Sequence, residues 1–345
     1  MIFPWHQAHW EQWVAQSNLH HGLMVAGAIG IGKWEFCITL AQYLLCSEHV
    51  TQKHYCGTCQ NCQLFSAGTH PDFHLLTSEF ENVDSRLTLV SRYGDRYQNV
   101  QAREKKAKPS KVIPVDQIRQ LIEQFSNKAH ISNSKVALIA PADCLNINAA
   151  NALLKLLEEP PENSTLILMT PLPGKLPATV RSRCVTIDLP TPREEEALNW
   201  LSETLDEVQS KVALEAASGG PLAAKKMLEN GDFDRQLRYL NQISDLFESR
   251  TNPLDLAAEL AKSDFPSLLI WFSRFVGSVI QWKVADVEPG WFDIRGMGWS
   301  NRNISVDKLF AVYDRISFYR EIEREPINVQ LALEDLMLSL AGAIR

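Results

Sequence analysis

The chain has 345 residues, of which 45% are hydrophobic and 22% charged, and carries a formal net charge of −7. Single cores stop growing near roughly 250–300 residues, so two or three domains are expected, and the composition is that of a globular chain. The acidic balance excludes a protein that coats nucleic acid unaided and leaves DNA contact that is local or shared with partners.

The N-terminal run MIFPWHQAHWEQW has no succession of basic, apolar and small residues resembling an export signal, which predicts a cytoplasmic chain. A first strand is predicted at 22–27, and it runs into the spacing G-x-x-x-x-G-K of a phosphate-binding loop: Gly27, then Gly30, Gly32 and Lys33. The next position should carry a hydroxyl to hold the magnesium of a bound nucleotide, and Trp34 stands there. After a helix come Cys46, Cys56, Cys59 and Cys62, spaced C-x9-C-x2-C-x2-C. In a reducing compartment this spacing predicts four thiolates around one tetrahedral zinc ion, a structural site with no open position. His49, His54 and His70 are possible substitute ligands but read as surface residues, and Cys37, Cys144 and Cys184 lie outside the spacing.

A second strand is predicted at 73–77. The polar stretch 78–112 that follows has little periodicity and reads as an exposed insertion, whose basic end (Arg103, Lys105, Lys106, Lys108 and Lys111) is solvated or a DNA contact. A third strand is predicted at 135–140. A phosphate-loop ATPase needs an acidic pair at such a strand end, and this chain has Ala140 and Pro141, with Asp143 beyond them. The next helix has Ala152, Leu153, Leu156 and Leu157 on one face and ends at Pro160 and Pro161. Glu158 and Glu159 at its C-terminal end oppose the helix dipole unless a cation from elsewhere meets them. Strands at 164–170 and 184–189 complete an alternating, mainly parallel pattern; beyond 188 the periodicity is helical, including 267–282, where Arg274 marks a core helix rather than a membrane span.

NALLKLLEEPP (151–161) followed by KLPATVRSRC (175–184), together with the cysteine cluster, HPDFHLL (70–76), IPVDQIRQL (113–121) and the altered phosphate loop, resembles the clamp-loader branch of the AAA+ proteins. The resemblance implies an α/β AAA+ architecture: a RecA-like core over 1–188 with a zinc module at 46–62, a helical lid over 189–232 and an all-α collar over 233–345. Clamp loaders are open rings in which ATP sits between neighbours and each site borrows an arginine from the next subunit. The borrowed residue belongs to a Ser-Arg-Cys motif, here Ser182, Arg183 and Cys184, with Arg181 the weaker candidate. Leu222 stands where active members carry a nucleotide-sensing arginine.

The implied function is a non-hydrolysing subunit that supplies Arg183 in trans, with no ATP or Mg²⁺ site of its own. Its implied partners are the gamma/tau and delta subunits of bacterial DNA polymerase III, with the beta sliding clamp and primer-template DNA met through the assembly. Polymerase activity would reside in other subunits and no membrane would be involved. Two other readings are an active ATPase subunit of the same complex, against which Trp34, Ala140 and Pro141 count, and a zinc-dependent DNA-binding module on a degenerate ATPase fold, against which the net charge counts.

Overall fold

The computed structural model describes residues 2–15, 19–48, 54–79, 88–98, 110–203, 205–295, 297, 299, 303–322 and 327–343. They form two compact units: 1–200 with 219–223, and 201–218 with 224–345.

In the first unit α1 (Gln7–Val14) precedes β1 (Gly22–Gly27) and α2 (Lys33–Leu45). Then come α3 (Gln60–Ser66), β2 (Phe73–Leu76), α4 (Thr88–Gly94), α5 (Val115–Phe125) and β3 (Lys135–Ile139). The unit continues through α6 (Ile147–Glu158), β4 (Ser164–Thr170), the single turn α7 (Ala178–Arg181) and β5 (Val185–Leu189) to α8 (Glu194–Ser202). Among the described residues the five strands form one parallel sheet in the order β2-β3-β4-β1-β5, with Gly22 opposite Leu166 and Leu23 opposite Val185. All five strands lie where the apolar runs predict them. β1 to β4 are buried on both faces and therefore read as continuous apolar stretches, whereas β5, at the edge, buries only Ile187 and Leu189.

Strand alternation feeds two cores. Leu23, Val25, Leu75, Leu138 and Ile167 face α1 and α2, where Trp10, Phe36 and Leu40 are buried. Met24, Leu76, Ile139, Leu166 and Leu168 face α5 and α6, meeting Ile118, Leu121, Leu153 and Leu156. α6 takes the side chain of Asn146 as its N-cap and buries one stripe, as its spacing predicts.

The insertion departs from the expectation of an exposed loop. Its described part carries α4, and Tyr93 and Tyr97 are buried, one in each core. The Tyr93 hydroxyl donates to the carbonyl of Phe65 at 3.0 Å, and Arg96 Nη1 donates to that of Phe73 at 2.9 Å. Polar atoms of the insertion thus satisfy backbone carbonyls of α3 and β2, which composition alone does not reveal. Of its basic end, Arg103, Lys105, Lys106 and Lys108 lie outside the described residues. His70 is also a correction: it is fully buried, not a surface residue, and its Nδ1 accepts from the amide of Asp72 at 3.1 Å. Burial holds its pKa below the ordinary value.

The second unit is helical, with α9 (Glu207–Ala216), the later part of α10 (Pro221–Glu229), α11 (Asp232–Phe247), α12 (Pro253–Leu260), α13 (Phe265–Ala285), α14 (Val306–Glu321) and α15 (Val329–Gly342). Its core gathers Phe247, Phe272, Phe275 and Trp299. Arg274 of α13 is a core-helix residue, as predicted: it lies over the Trp291 ring at 5.6 Å and donates to the carbonyl of Glu215 at 3.3 Å. No helix among the described residues is long and apolar enough to cross a membrane.

Candidate functional site

The turn between β1 and α2 holds the glycines of the G-x-x-x-x-G-K spacing. Gly32 caps α2 in the left-handed conformation at φ 96°, and Gly30 has φ 78°, both unfavourable for a side chain. Both positions are also closed by packing. A Cβ on Gly30 would lie 2.4 Å from the Cβ of Ala223, and one on Gly32 would lie 2.4 Å from the ring of Phe3. The amide of Leu222 donates to the carbonyl of Gly30 at 2.9 Å. Trp5 Nε1 and His6 Nε2 both donate to the carbonyl of Ile31, each at 2.8 Å. Burial pushes the pKa of His6 down to about 4, so the imidazole stays neutral at physiological pH. Phe3 stacks on Trp5 at 4.8 Å, with Trp200 edge-on to both.

Lys33, the residue that would reach a phosphate, is 7% exposed, and its Nζ donates to the carbonyl of Ala28 within its own loop. Burial lowers its pKa to about 8, with Asp143 and Glu35 partly offsetting that effect. Trp34, in place of the metal-binding hydroxyl, packs half-buried against the core on the α2 side. At the end of β3, Ala140 is fully buried and leads through a cis bond into Pro141. The nearby carboxylate of Asp143 accepts the hydroxyl of Thr170 at 2.8 Å.

The four cysteines converge. Cys46 is the C-cap of α2 and Cys59 the N-cap of α3, so two helix ends deliver ligands and the short loop between them brings Cys56. All four sulfurs lie within 4.8 Å of one another, and the pairs Cys46–Cys59 and Cys56–Cys62 are each 4.0 Å apart. A tetrahedral thiolate site with metal–sulfur bonds of about 2.3 Å needs sulfurs about 3.8 Å apart, so this group is positioned to hold a metal ion. Backbone amides point at the sulfurs, Cys56 N at Cys46 Sγ and Cys59 N at Cys56 Sγ, both at 3.3 Å, as anionic thiolates require. His54 stands apart, its ring 5.6 Å from that of Trp10.

Arg183 follows α7 and precedes the edge strand β5. Its Nη2 lies 2.6 Å from Oε1 of Glu158, and Nη1 donates to the carbonyl of Thr179 at 2.9 Å. The two side chains remain 37% and 50% exposed. The cation that the C-terminal end of α6 calls for is therefore Arg183 itself. Arg181 is exposed.

Phe3, Trp5 and His6, which close the loop, carry only one sequence signal: the density of aromatic residues in FPWHQAHWEQW. Ala223 against Gly30 carries none, and for Glu158 the sequence signals the need for a cation but not that Arg183 is the one, because each contact joins distant parts of the chain.

The profile of the family described as "DNA polymerase III, delta subunit" matches residues 5–193. A curated protein of Pseudomonas aeruginosa named DNA polymerase III subunit delta' is 31% identical, with 99% of this chain and 98% of that protein covered. Its counterpart in Escherichia coli K12, with the same name, is 29% identical over 98% of this chain and 95% of its own. The chain belongs to the DNA polymerase III delta-subunit family, and these relatives within it bear the name delta'. A solved structure from Thermotoga maritima, titled a DNA polymerase III gamma subunit-related protein, covers 97% of this chain and 98% of its own at 13% identity and a TM-score of 0.44. That similarity is too low to transfer any feature of its site.

The closed loop yields a stability test. Gly30→Ala combines a left-handed backbone with a collision at Ala223, and should cost about 2–4 kcal/mol. Gly231→Ala, at φ 68° with nothing within 4 Å of the added methyl, should cost only the backbone term of about 1–2 kcal/mol. Urea unfolding of both variants checks the ranking; equal losses would show that Ala223 does not pack on the loop.

Proposed function

We propose that this chain is a subunit of the bacterial sliding-clamp loader that hydrolyses no ATP itself and presents Arg183 in trans to the ATP site of a neighbouring subunit. The observation that carries the reading is the phosphate loop held in its backbone conformation while its own chain, Phe3 on one side and Ala223 on the other, packs on its two turn glycines. A nucleotide phosphate would have to compete with the Ala28 carbonyl for Lys33. Its magnesium would find indole at position 34 instead of a hydroxyl, and no acidic pair at Ala140 and Pro141. The delta' naming of relatives that align over nearly the full chain supports the same role.

Arg183 suits the second half of the proposal. It sits at the start of an edge strand, half-exposed, with a planar donor fork matched to phosphoryl oxygens. Phosphoryl transfer spreads negative charge over its oxygens, and a guanidinium entering from the next subunit stabilises that charge. The partners would be the gamma/tau and delta subunits, with the beta clamp and primer-template DNA reached through the ring, all in the cytoplasm. The core over 1–188, with AAA+ ancestry, would carry the interface with the hydrolysing neighbour, 189–232 would be the lid and 233–345 the collar. The four cysteines would hold one structural zinc, supplying folding energy to a loop with little core of its own.

Two outcomes test this. In a reconstituted complex, Arg183→Ala should assemble normally by size exclusion yet lower clamp- and DNA-stimulated ATP hydrolysis. The loss should fall short of the roughly 10³–10⁵ that a finger contributes at its own site, because other sites keep theirs. An unmodified rate would remove the assignment, and failed assembly would make Arg183 an interface residue. Elemental analysis of the purified chain should find one zinc per molecule, lost in Cys59→Ser; a metal-free folded protein with four titratable thiols would refute the zinc reading.

A further inference from the structure

The contact between Arg183 and Glu158 has a consequence for the reaction in the neighbouring site. An arginine that acts across a subunit boundary must reach the phosphates in one orientation, and a long side chain at the surface otherwise samples many. Here two of its prongs are occupied within the chain, Nη2 by the carboxylate of Glu158 at 2.6 Å and Nη1 by the carbonyl of Thr179 at 2.9 Å. Among the described residues no other contact engages the fork, so its remaining N–H groups can meet an incoming ligand.

The base that carries the carboxylate is itself fixed. Glu158 is the last residue of α6, and His21 Nε2 donates to the carbonyl of the preceding Leu157 at 2.9 Å. Gly22 closes the same corner: a Cβ there would meet Leu157 Cδ2 at 2.9 Å and the Arg183 carbonyl at 3.0 Å. The start of β1, the end of α6 and the backbone of Arg183 therefore pack with no spare volume, and both members of the pair are anchored to it.

Stability alone does not account for the pair. Exposed ion pairs contribute little to folding, and a carboxylate at a helix C-terminus faces the negative end of the dipole. We infer that Glu158 is a positioning residue, holding the Arg183 guanidinium in the orientation from which it meets phosphoryl oxygens of a nucleotide bound to the adjacent subunit. The inference rests on the proposed trans role of Arg183.

The test is a double-mutant cycle in the reconstituted complex, with ATP turnover measured in the presence of clamp and primed DNA. Glu158→Ala should leave assembly, the melting temperature of the chain and the KM for ATP unchanged, and should produce at least half of the fall in kcat caused by Arg183→Ala. Glu158→Gln, which keeps an acceptor oxygen without the charge, should fall between Glu158→Ala and the unmodified complex. The double variant Glu158→Ala/Arg183→Ala should match Arg183→Ala alone, a non-additivity that a separate structural role of Glu158 would not give. Normal or raised turnover in Glu158→Ala, with the Arg183→Ala loss intact, overturns the positioning role while leaving the finger assignment standing. Full turnover in Arg183→Ala overturns the finger assignment and this inference with it.

Discussion

The turn that carries β1 into α2 is the constraint on which the first unit depends. β1 lies between β4 and β5, and α2 packs directly on that sheet, so the chain has to reverse within a few residues between two buried elements. Left-handed backbone at Gly30 and Gly32 makes the reversal possible. The carbonyls of Gly30 and Ile31 are then satisfied by Leu222, Trp5 and His6. These demands come from chain geometry and hydrogen bonding, and hold whether or not a nucleotide binds. The hydroxyl after Lys33 and the acidic pair after β3 answer only to metal and water. Trp34, Ala140 and Pro141 can therefore stand at those positions without disturbing the turn, whereas the left-handed backbone and close packing at Gly30 and Gly32 leave no room for a side chain.

Charge follows the same division. Lys33, Asp143 and Thr170 stay together near the loop, but each is engaged inside the protein: Lys33 with the Ala28 carbonyl, Asp143 with the Thr170 hydroxyl. At the sheet edge the polarity is turned outward, where Arg183 meets Glu158 with both side chains partly in solvent. An inward-facing, internally satisfied lysine and an outward-facing arginine are what a subunit needs if it contributes to a site built mainly by its neighbour.

Much of this was legible in the sequence. The strands were, because burial on both faces leaves uninterrupted apolar runs such as LMVA and VALI; the cysteine cluster was, because two C-x2-C steps bring three sulfurs together by local geometry alone. The acidic end of α6 announced the need for a cation through the helix dipole. Its partner was not visible, because Arg183 is brought back only by β4 and α7. Tyr93 and Tyr97 were hidden in a polar stretch, since the Tyr93 hydroxyl and Arg96 meet the backbone carbonyls of Phe65 and Phe73, while the Tyr97 hydroxyl donates to the side chain of Gln124. His70 looked like a surface residue beside a metal cluster and is instead a buried acceptor for the Asp72 amide. In each case the sequence carried the local requirement, and the tertiary fold chose which distant group met it.

A phosphate loop that serves as a scaffold closed by its own chain should bind no nucleotide. Isothermal titration of the purified full-length chain with Mg·ATP tests it most directly. No saturable binding is expected up to ligand concentrations of about 1 mM, where a dissociation constant corresponds to only about 4 kcal/mol, and the same flat titration for Lys33→Ala. Saturable binding at micromolar concentration that Lys33→Ala abolishes would contradict it.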